Sequence, residues 1–371
     1  MPPRRPRGQS AGSRLVRFWW RAFAVAAVVY IGYIGWQSGA WRTVEPFAAG
    51  QCKAVDSPPG PADIAMLPDG SGAIVSSQDR RLPGNRGHLY FYDLSTRPGR
   101  FTPLPVPQAM TFHPQGIALF RADDGRIFVQ VINRRSESNS TVEIFTLDGD
   151  RTTGYSLHHR GSVSSTLFVH PAGIAAAGPE SFYLTNDRGS GPRWMHMVEN
   201  LLQLSRSTVI YQDGRGSRVV AGNISFANGI ALSADGGNLL VGSTLWRSLL
   251  VYTRVPGTGA LIRAGTLSLP GGVDKIHRDA QGALWLTVLP NAFATVMHMI
   301  NPEKPAPSMA LRVTTTGGGT TAVDEAYADP GGEISAASAA AQQNNRLLIG
   351  AAFGNSIIDC AIDPAKLKPA N

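Results

Sequence analysis

Long amphipathic helices are missing from this sequence. Apart from MHMVENLLQLS at 195–205, a short candidate helix, no stretch sustains a 3.6-residue apolar period between caps. That excludes a helical bundle and argues against an α/β fold. A nucleotide-binding loop and a nucleophile elbow are missing as well. GRGS at 214–217 and GTGA at 257–260 read as loop glycines, which sets aside nucleotide chemistry and a nucleophilic serine. Charge is scarce: 16% of the 371 residues are Asp, Glu, Lys or Arg, against 43% hydrophobic, enough apolar material for a large core. Glycine (41) and proline (26) are plentiful and point to many turns.

The formal net charge of +8 suggests a nucleic-acid partner until it is located. Six arginines (Arg4, Arg5, Arg7, Arg14, Arg17 and Arg21) fall in the first 21 residues, where no acid occurs. Setting those six aside leaves 28 basic residues against 26 acidic, so the rest is near neutral and no nucleic-acid binding is expected. The arginines precede Ala22–Trp36, AFAVAAVVYIGYIGW, which carries no charge. With Phe18, Trp19 and Trp20 the stretch approaches the ~20 residues of a bilayer crossing. Arg21 can snorkel, and Trp and Tyr suit the two interfaces. Residues 1–21 thus read as a basic cytoplasmic tail and 22–41 as a transmembrane signal anchor, with 48–371 as an extracytoplasmic domain. A cleaved signal peptide, ending near Gln37–Ala40, is the competing reading.

Only two cysteines occur, Cys52 and Cys360, near the two ends of that domain. In an oxidising compartment they read as a disulfide joining the ends, worth roughly 4–5 kcal/mol for so long a loop. Two unpaired buried thiols are the alternative.

Between the cysteines one theme recurs six times: a polar residue, Ile with small residues, a turn, then an apolar strand. The instances are ADIAMLPDGSGAIVSS, QGIALFRADDGRIFVQVIN, AGIAAAGPESFYLTND, NGIALSADGGNLLVGST, DKIHRDAQGALWLTVLP and EISAASAAAQQNNRLLIGAAF. Their isoleucines (64, 117, 174, 230, 276 and 334) stand 46 to 58 residues apart. Several units continue into further strands, such as GHLYFYDLS, STVEIFTLDGD, RSLLVYTRV and ATVMHMINPE. Four strands per unit of about fifty residues predict an all-β, six-bladed β-propeller whose ring the cysteine pair would close. The residues before each isoleucine then converge on one end of the central channel: Ala62-Asp63, Gln115-Gly116, Ala172-Gly173, Asn228-Gly229, Asp274-Lys275 and Glu333. That mouth is the expected site. His113, His170 and His277 lie beside it without paired ligand spacing and read as structural.

Taken in order, CKAV, ADIAMLPDG, FHPQGIALF, STVEIF, GPESFYLTND, FANGIALSADG, GVDKI and NNRLLIG resemble the paraoxonase/arylesterase propellers, relatives of gluconolactonases and strictosidine-synthase-like proteins. The resemblance covers about residues 50–362 and implies a calcium-dependent lactonase or aryl-esterase. It also implies a site that has been rebuilt. The positions matching the five ligands of the catalytic calcium are Ala62, Ala172, Asn228, Asp274 and Lys275, so Asn228 and Asp274 alone keep a ligand. Those of the second, structural calcium fall on Asp63, Gly173 and the Ile117 carbonyl. The histidine dyad falls on Gln115 and Arg134, and a further histidine on Leu289.

Calcium takes six to eight oxygens, and a lysine beside it repels the ion. The expectation is therefore that the Lys275 ammonium stands in for a metal, with no cofactor or at most a weakly held calcium. Lys275 and Arg134 would stabilise an oxyanion, Asp274 would activate water or hold the lysine, and Gln115 would assist. Asn228, Glu333 and Asp63 would contact the substrate, a small ester or lactone. A propeller that has lost its chemistry and serves as a binding or scaffold module is the alternative.

Overall fold

Strand-forming sequence dominates, and the fold follows from how each strand hides two faces. A computed structural model describes residues 11–82, 84–189, 193–315 and 321–370. Six antiparallel sheets, each built on four strands, stand around a common axis as the six blades of a propeller. Their innermost strands are Pro61–Met66, Pro114–Arg121, Pro171–Ala176, Ala227–Leu232, Gly272–Arg278 and Ala337–Gln343. The first five contain the isoleucines expected of them. The sixth does not: Ile334 is buried ahead of its strand, and the alanine-rich ASAAAQQ forms the strand itself. Four alanines give little β-branched signal, so the strand was hidden in the sequence.

Blades pack face to face, and both faces of each inner sheet are buried. In blade 6, Leu347 and Ile358 pack toward Trp285, Ala310 and Tyr327 of blade 5. Their neighbours Leu348 and Ile357 pack the opposite way, toward Ile64, Val75 and Tyr92 of blade 1. Period-two alternation thus fills two different interfaces, which is why these strands read as unbroken apolar runs. Among the described residues six hydrophobic clusters occur, one for each interface between neighbouring blades.

The ring closes by exchange between the chain ends. Gly50–Asp56, from the start of the domain, supplies the outer strand of blade 6 by pairing with Ser356–Ile362. Cys52 lies opposite Cys360 in that register and is disulfide-bonded to it, 308 residues apart in sequence. Just before it, Phe47–Ala48 adds to blade 5, and Lys368–Pro369 adds to the same blade from the C-terminal side. Both termini therefore cover the seam between blades 5 and 6.

Among the described residues three α-helices lie outside the ring. Helix α1, Ala11–Gln37, includes Leu15–Gln37, 23 residues long and apolar enough to cross a membrane. It begins within the basic segment, so Arg14, Arg17 and Arg21 are helical; Arg4, Arg5 and Arg7 lie outside the described residues. Helix α2, Arg193–Leu201, is the expected short helix, shifted toward the N-terminus. Helix α3, Ala292–Ile300, corrects the reading of ATVMHMINPE as a strand. Asn291 caps it by accepting from the Ala294 N–H, and the third strand of blade 5 begins only at Ser308.

Candidate functional site

Every innermost strand breaks register close to its start. The skips fall between Pro61 and Asp63, Pro114 and Ile117, Pro171 and Gly173, Ala227 and Ile230, Val273 and Ile276, and Ala337 and Ala339. A bulge re-aims the side chains it carries, and here the bulged residues are those at the channel mouth. In the sixth blade the bulge carries Ser338. Glu333 is five residues earlier, in the connecting loop, where it accepts from the Tyr327 hydroxyl at 3.1 Å. Glu333 is therefore not the inner-strand residue it was expected to be.

Hydroxyl groups hold this mouth in shape. Ser76 donates to the Gln115 carbonyl (2.8 Å), Thr244 to Val273 (2.6 Å), Thr287 to Ser338 (2.7 Å) and Ser338 to Ala62 (2.8 Å). Thr185 donates likewise to Asn228 across the next seam. Each bond joins one blade to the bulge of its neighbour. Glycine is required where the strands come closest: a Cβ on Gly229 would sit 2.1 Å from the Asp274 carbonyl oxygen, and one on Gly173 2.3 Å from that of Asn228. This accounts for the glycines in NGI and AGI.

Lys275, buried at 9% exposure, is the centre of one polar cluster. Its Nζ donates to Asn228 Oδ1 at 2.8 Å and lies 3.2 Å from Asp274 Oδ1. Burial raises the Asp274 carboxyl above its usual range, opposed by the ammonium beside it. Asp63 forms a second cluster across the channel. His277 Nε2 stands 2.6 Å from Asp63 Oδ1, while Asp63 Oδ2 accepts from the Ile117 N–H at 2.8 Å. One carboxylate thus ties blades 1, 2 and 5 together. Burial works to raise the Asp63 pKa, but His277, Lys275 and the backbone donor outweigh it and hold the group below its ordinary value.

A depressed aspartate stabilises the fold fully above the unfolded value of about 4 and loses that contribution as pH falls through the folded value. Asp63→Asn is accordingly expected to flatten the dependence of melting temperature on pH between about 5 and 2. A variant as acid-sensitive as the parent would contradict this.

Two guanidinium groups complete the mouth. Arg80, absent from the sequence expectation, donates to the carbonyls of Pro114 (2.9 Å), Gly60 (3.1 Å) and Gln78 (3.2 Å), and reaches Gln115 Oε1 at 3.4 Å. Burial pushes its pKa down to about 10, aided by the charge of Arg134 and opposed by Asp274 and Asp63. Arg134 donates through Nε to the Pro171 carbonyl (2.8 Å) and pairs with Asp187 at 3.2 Å. Asp187 in turn lies 2.5 Å from His170 Nδ1. Arg80, Asp187 and Thr244 all follow the second strand of a blade, as Arg134 ends one. The endings VSSQDR, LTND and VGST held that signal in the sequence. Among the described residues no three His, Cys, Asp or Glu side chains are grouped to hold a metal ion.

The chain is a six-bladed propeller with polar side chains from inner-strand bulges and second-strand ends gathered at one channel mouth. The chain belongs to the arylesterase family, whose sequence model, described as Arylesterase, matches residues 44–361. It is 29% identical over 331 residues to serum paraoxonase/arylesterase 1 of Rattus norvegicus, covering 86% of this chain and 91% of the relative. Against serum paraoxonase/lactonase 3 of Homo sapiens the identity is 27% over 330 residues, covering 85% and 90%. Among solved structures, a luciferin-regenerating enzyme superposes with a TM-score of 0.52 at 13% identity, covering 88% of this chain and 97% of that one. A gluconolactonase from Xanthomonas campestris superposes with a TM-score of 0.50 at 16% identity, covering 84% and 90%. These structural likenesses concern the fold alone.

Proposed function

We propose that this propeller is a membrane-anchored hydrolase of lactones or of aryl and carboxylic esters, working at a metal-free mouth in which Lys275 is the fixed cation. The observation that carries the reading is the position of the lysine. Its ammonium is bonded to Asn228 and Asp274, the two positions that keep a calcium ligand, and His277 occupies the carboxylate of Asp63 in the same way. Calcium would have to displace both groups and face a repulsion on the order of several kcal/mol at an effective dielectric of about 20. A preorganised cation in a dry cup can stabilise the oxyanion that forms when water adds to a carbonyl carbon. Asp274 and Asn228 hold the ammonium in place, and Arg134 adds positive potential nearby.

Anchoring is supported by α1 and by its surroundings. Tyr30 donates to the Leu201 carbonyl at the end of α2, and the Ala292 N–H of α3 donates to the Ser38 carbonyl. Both helices follow second strands, on the mouth side of the ring, and expose Trp194, Leu201, Phe293, Val296 and Ile300 beside α1. In this reading the arginine-rich start stays in the cytosol, and the propeller lies in an oxidising compartment that keeps Cys52–Cys360 paired.

Residues 48–371, assayed on phenyl acetate and a δ-lactone, are expected to turn over equally with millimolar calcium and with chelator. The melting temperature should also be the same in both, because an ion bound to the native state stabilises by mass action. Calcium-dependent turnover or melting would refute the metal-free mouth. Absence of turnover in both conditions would assign the propeller to ligand binding instead.

A further inference from the structure

The family's histidine dyad falls on Gln115 and Arg134, so the proposed hydrolysis has no evident base at those positions. Blade 3 supplies an imidazole from another direction. His170 precedes the inner strand Pro171–Ala176, and Asp187 follows the second strand of the same blade. Their backbones are joined by the Asp187 N–H donating to the His170 carbonyl at 3.0 Å, and the His170 N–H donates to Asn186 Oδ1 at 3.1 Å. With the segment pinned in this way, His170 Nδ1 meets Asp187 Oδ1 at 2.5 Å. Asp187 is itself 6% exposed and held by Arg134 at 3.2 Å and Arg188 at 3.7 Å.

A carboxylate on Nδ1 fixes the proton there and leaves Nε2 as the basic nitrogen. That nitrogen makes no hydrogen bond among the described residues, and the His170 side chain remains 21% exposed. Beside it stands His196 of α2, with ring centres 5.9 Å apart. The His196 Nε2 is buried and also lacks a partner among the described residues. Two neighbouring imidazoles thus offer nitrogens that a small polar molecule such as water can bond.

We propose that His170 is the general base of this mouth and Asp187 its positioning residue. The inference rests on the hydrolase reading above. His170 Nε2 takes a proton from water as the water oxygen bonds to the carbonyl carbon, and the carbonyl electron pair moves onto the carbonyl oxygen. Re-forming the C=O bond breaks the bond to the leaving alkoxide or phenoxide, which takes the proton from His170. An ester gives an acid and an alcohol, a lactone gives one hydroxy acid, and the imidazole returns to its starting state. The groups facing His170 are Asp187, Arg134, Arg188 and His196. Burial lowers the His170 pKa, with Arg134 and Arg188 acting in the same direction and Asp187 against them, which favours the neutral ring.

The test compares the parent with His170→Gln, His170→Gly and Asp187→Asn, on phenyl acetate from pH 5 to 9. His170→Gln is expected to lower kcat by about 10²–10⁴ with KM within threefold, and to remove the acid limb of the pH profile. Added imidazole should partly restore His170→Gly, and Asp187→Asn should lose at least about tenfold, the scale of a lost outer-shell partner. A role confined to packing would give neither the rescue nor the lost limb. His170→Gln retaining activity within threefold, with an unchanged profile, overturns the inference and leaves the hydrolase reading standing. Diethylpyrocarbonate labelling of the parent, read by peptide mass, supplies a measure independent of turnover. His170 should label at neutral pH and be protected in acid, and a His170 that never labels also overturns the inference.

Discussion

Lys275→Met should lower kcat/KM on phenyl acetate and on a δ-lactone by about 10²–10³, the scale for losing one oxyanion-stabilising group. Methionine keeps the length and apolar bulk of the side chain, so packing in a position only 9% exposed changes little. The charge itself is lost. Asp274 then stands without the ammonium that opposes its burial, and its carboxyl should rise further and take up a proton rather than remain a lone buried anion. For this reason Asp274→Asn/Lys275→Met is the paired control, since it removes cation and anion together. If the lysine serves only to neutralise Asp274, the double variant will recover most of the lost activity. Activity of the single variant within threefold of the parent would sink the role given to Lys275.

The second large effect concerns the seam. Replacing Cys52 and Cys360 by alanine should lower unfolding free energy by about 4–5 kcal/mol, from the loop-closure entropy that the cross-link removes from the unfolded chain. The strand that Cys52 sits on has little else to hold it. Gly50–Asp56 is an outermost strand with mostly exposed or half-buried residues, paired on one side only, and its attachment rests on the ladder to Ser356–Ile362. Urea denaturation of the propeller domain with and without reductant is the measurement, since the parent under reductant should approach the double variant. Equal midpoints in all conditions would show that strand pairing alone closes the ring.

Fold was more legible here than chemistry, and the reasons are physical. A blade is a local unit, so its turn, bulge glycine and apolar strands recur in sequence, and Ile64, Ile117, Ile174, Ile230 and Ile276 mark five inner strands directly. The sixth escaped because alanine fills a crowded interface without a β-branched signature, which drew the reading to Ile334 and with it to Glu333. Asp274, Lys275 and Asn228 could be placed together because they ride on adjacent bulges. Partners supplied from the ends of second strands could not, because nothing in the spacing of Arg80 or Asp187 tells which neighbouring blade each will meet. His277 shows the same limit, since its bond to Asp63 crosses the channel between residues 214 positions apart. Helix α3 was missed because a single amphipathic turn or two in an apolar run imitates a strand.

The exchange of strands at the seam has a consequence for how this chain is made. One early β-strand has to wait: Gly50–Asp56 emerges before any blade exists, yet its partner Ser356–Ile362 follows only after the strands of the other five blades. Five blades can assemble in order from neighbours already present, whereas the circle itself is completed only at the end, by an event that joins the oldest part of the domain to the newest. Loss of Ser356–Ile362 would therefore leave not a slightly smaller propeller but an open fan, with an unpaired edge on each side of the gap.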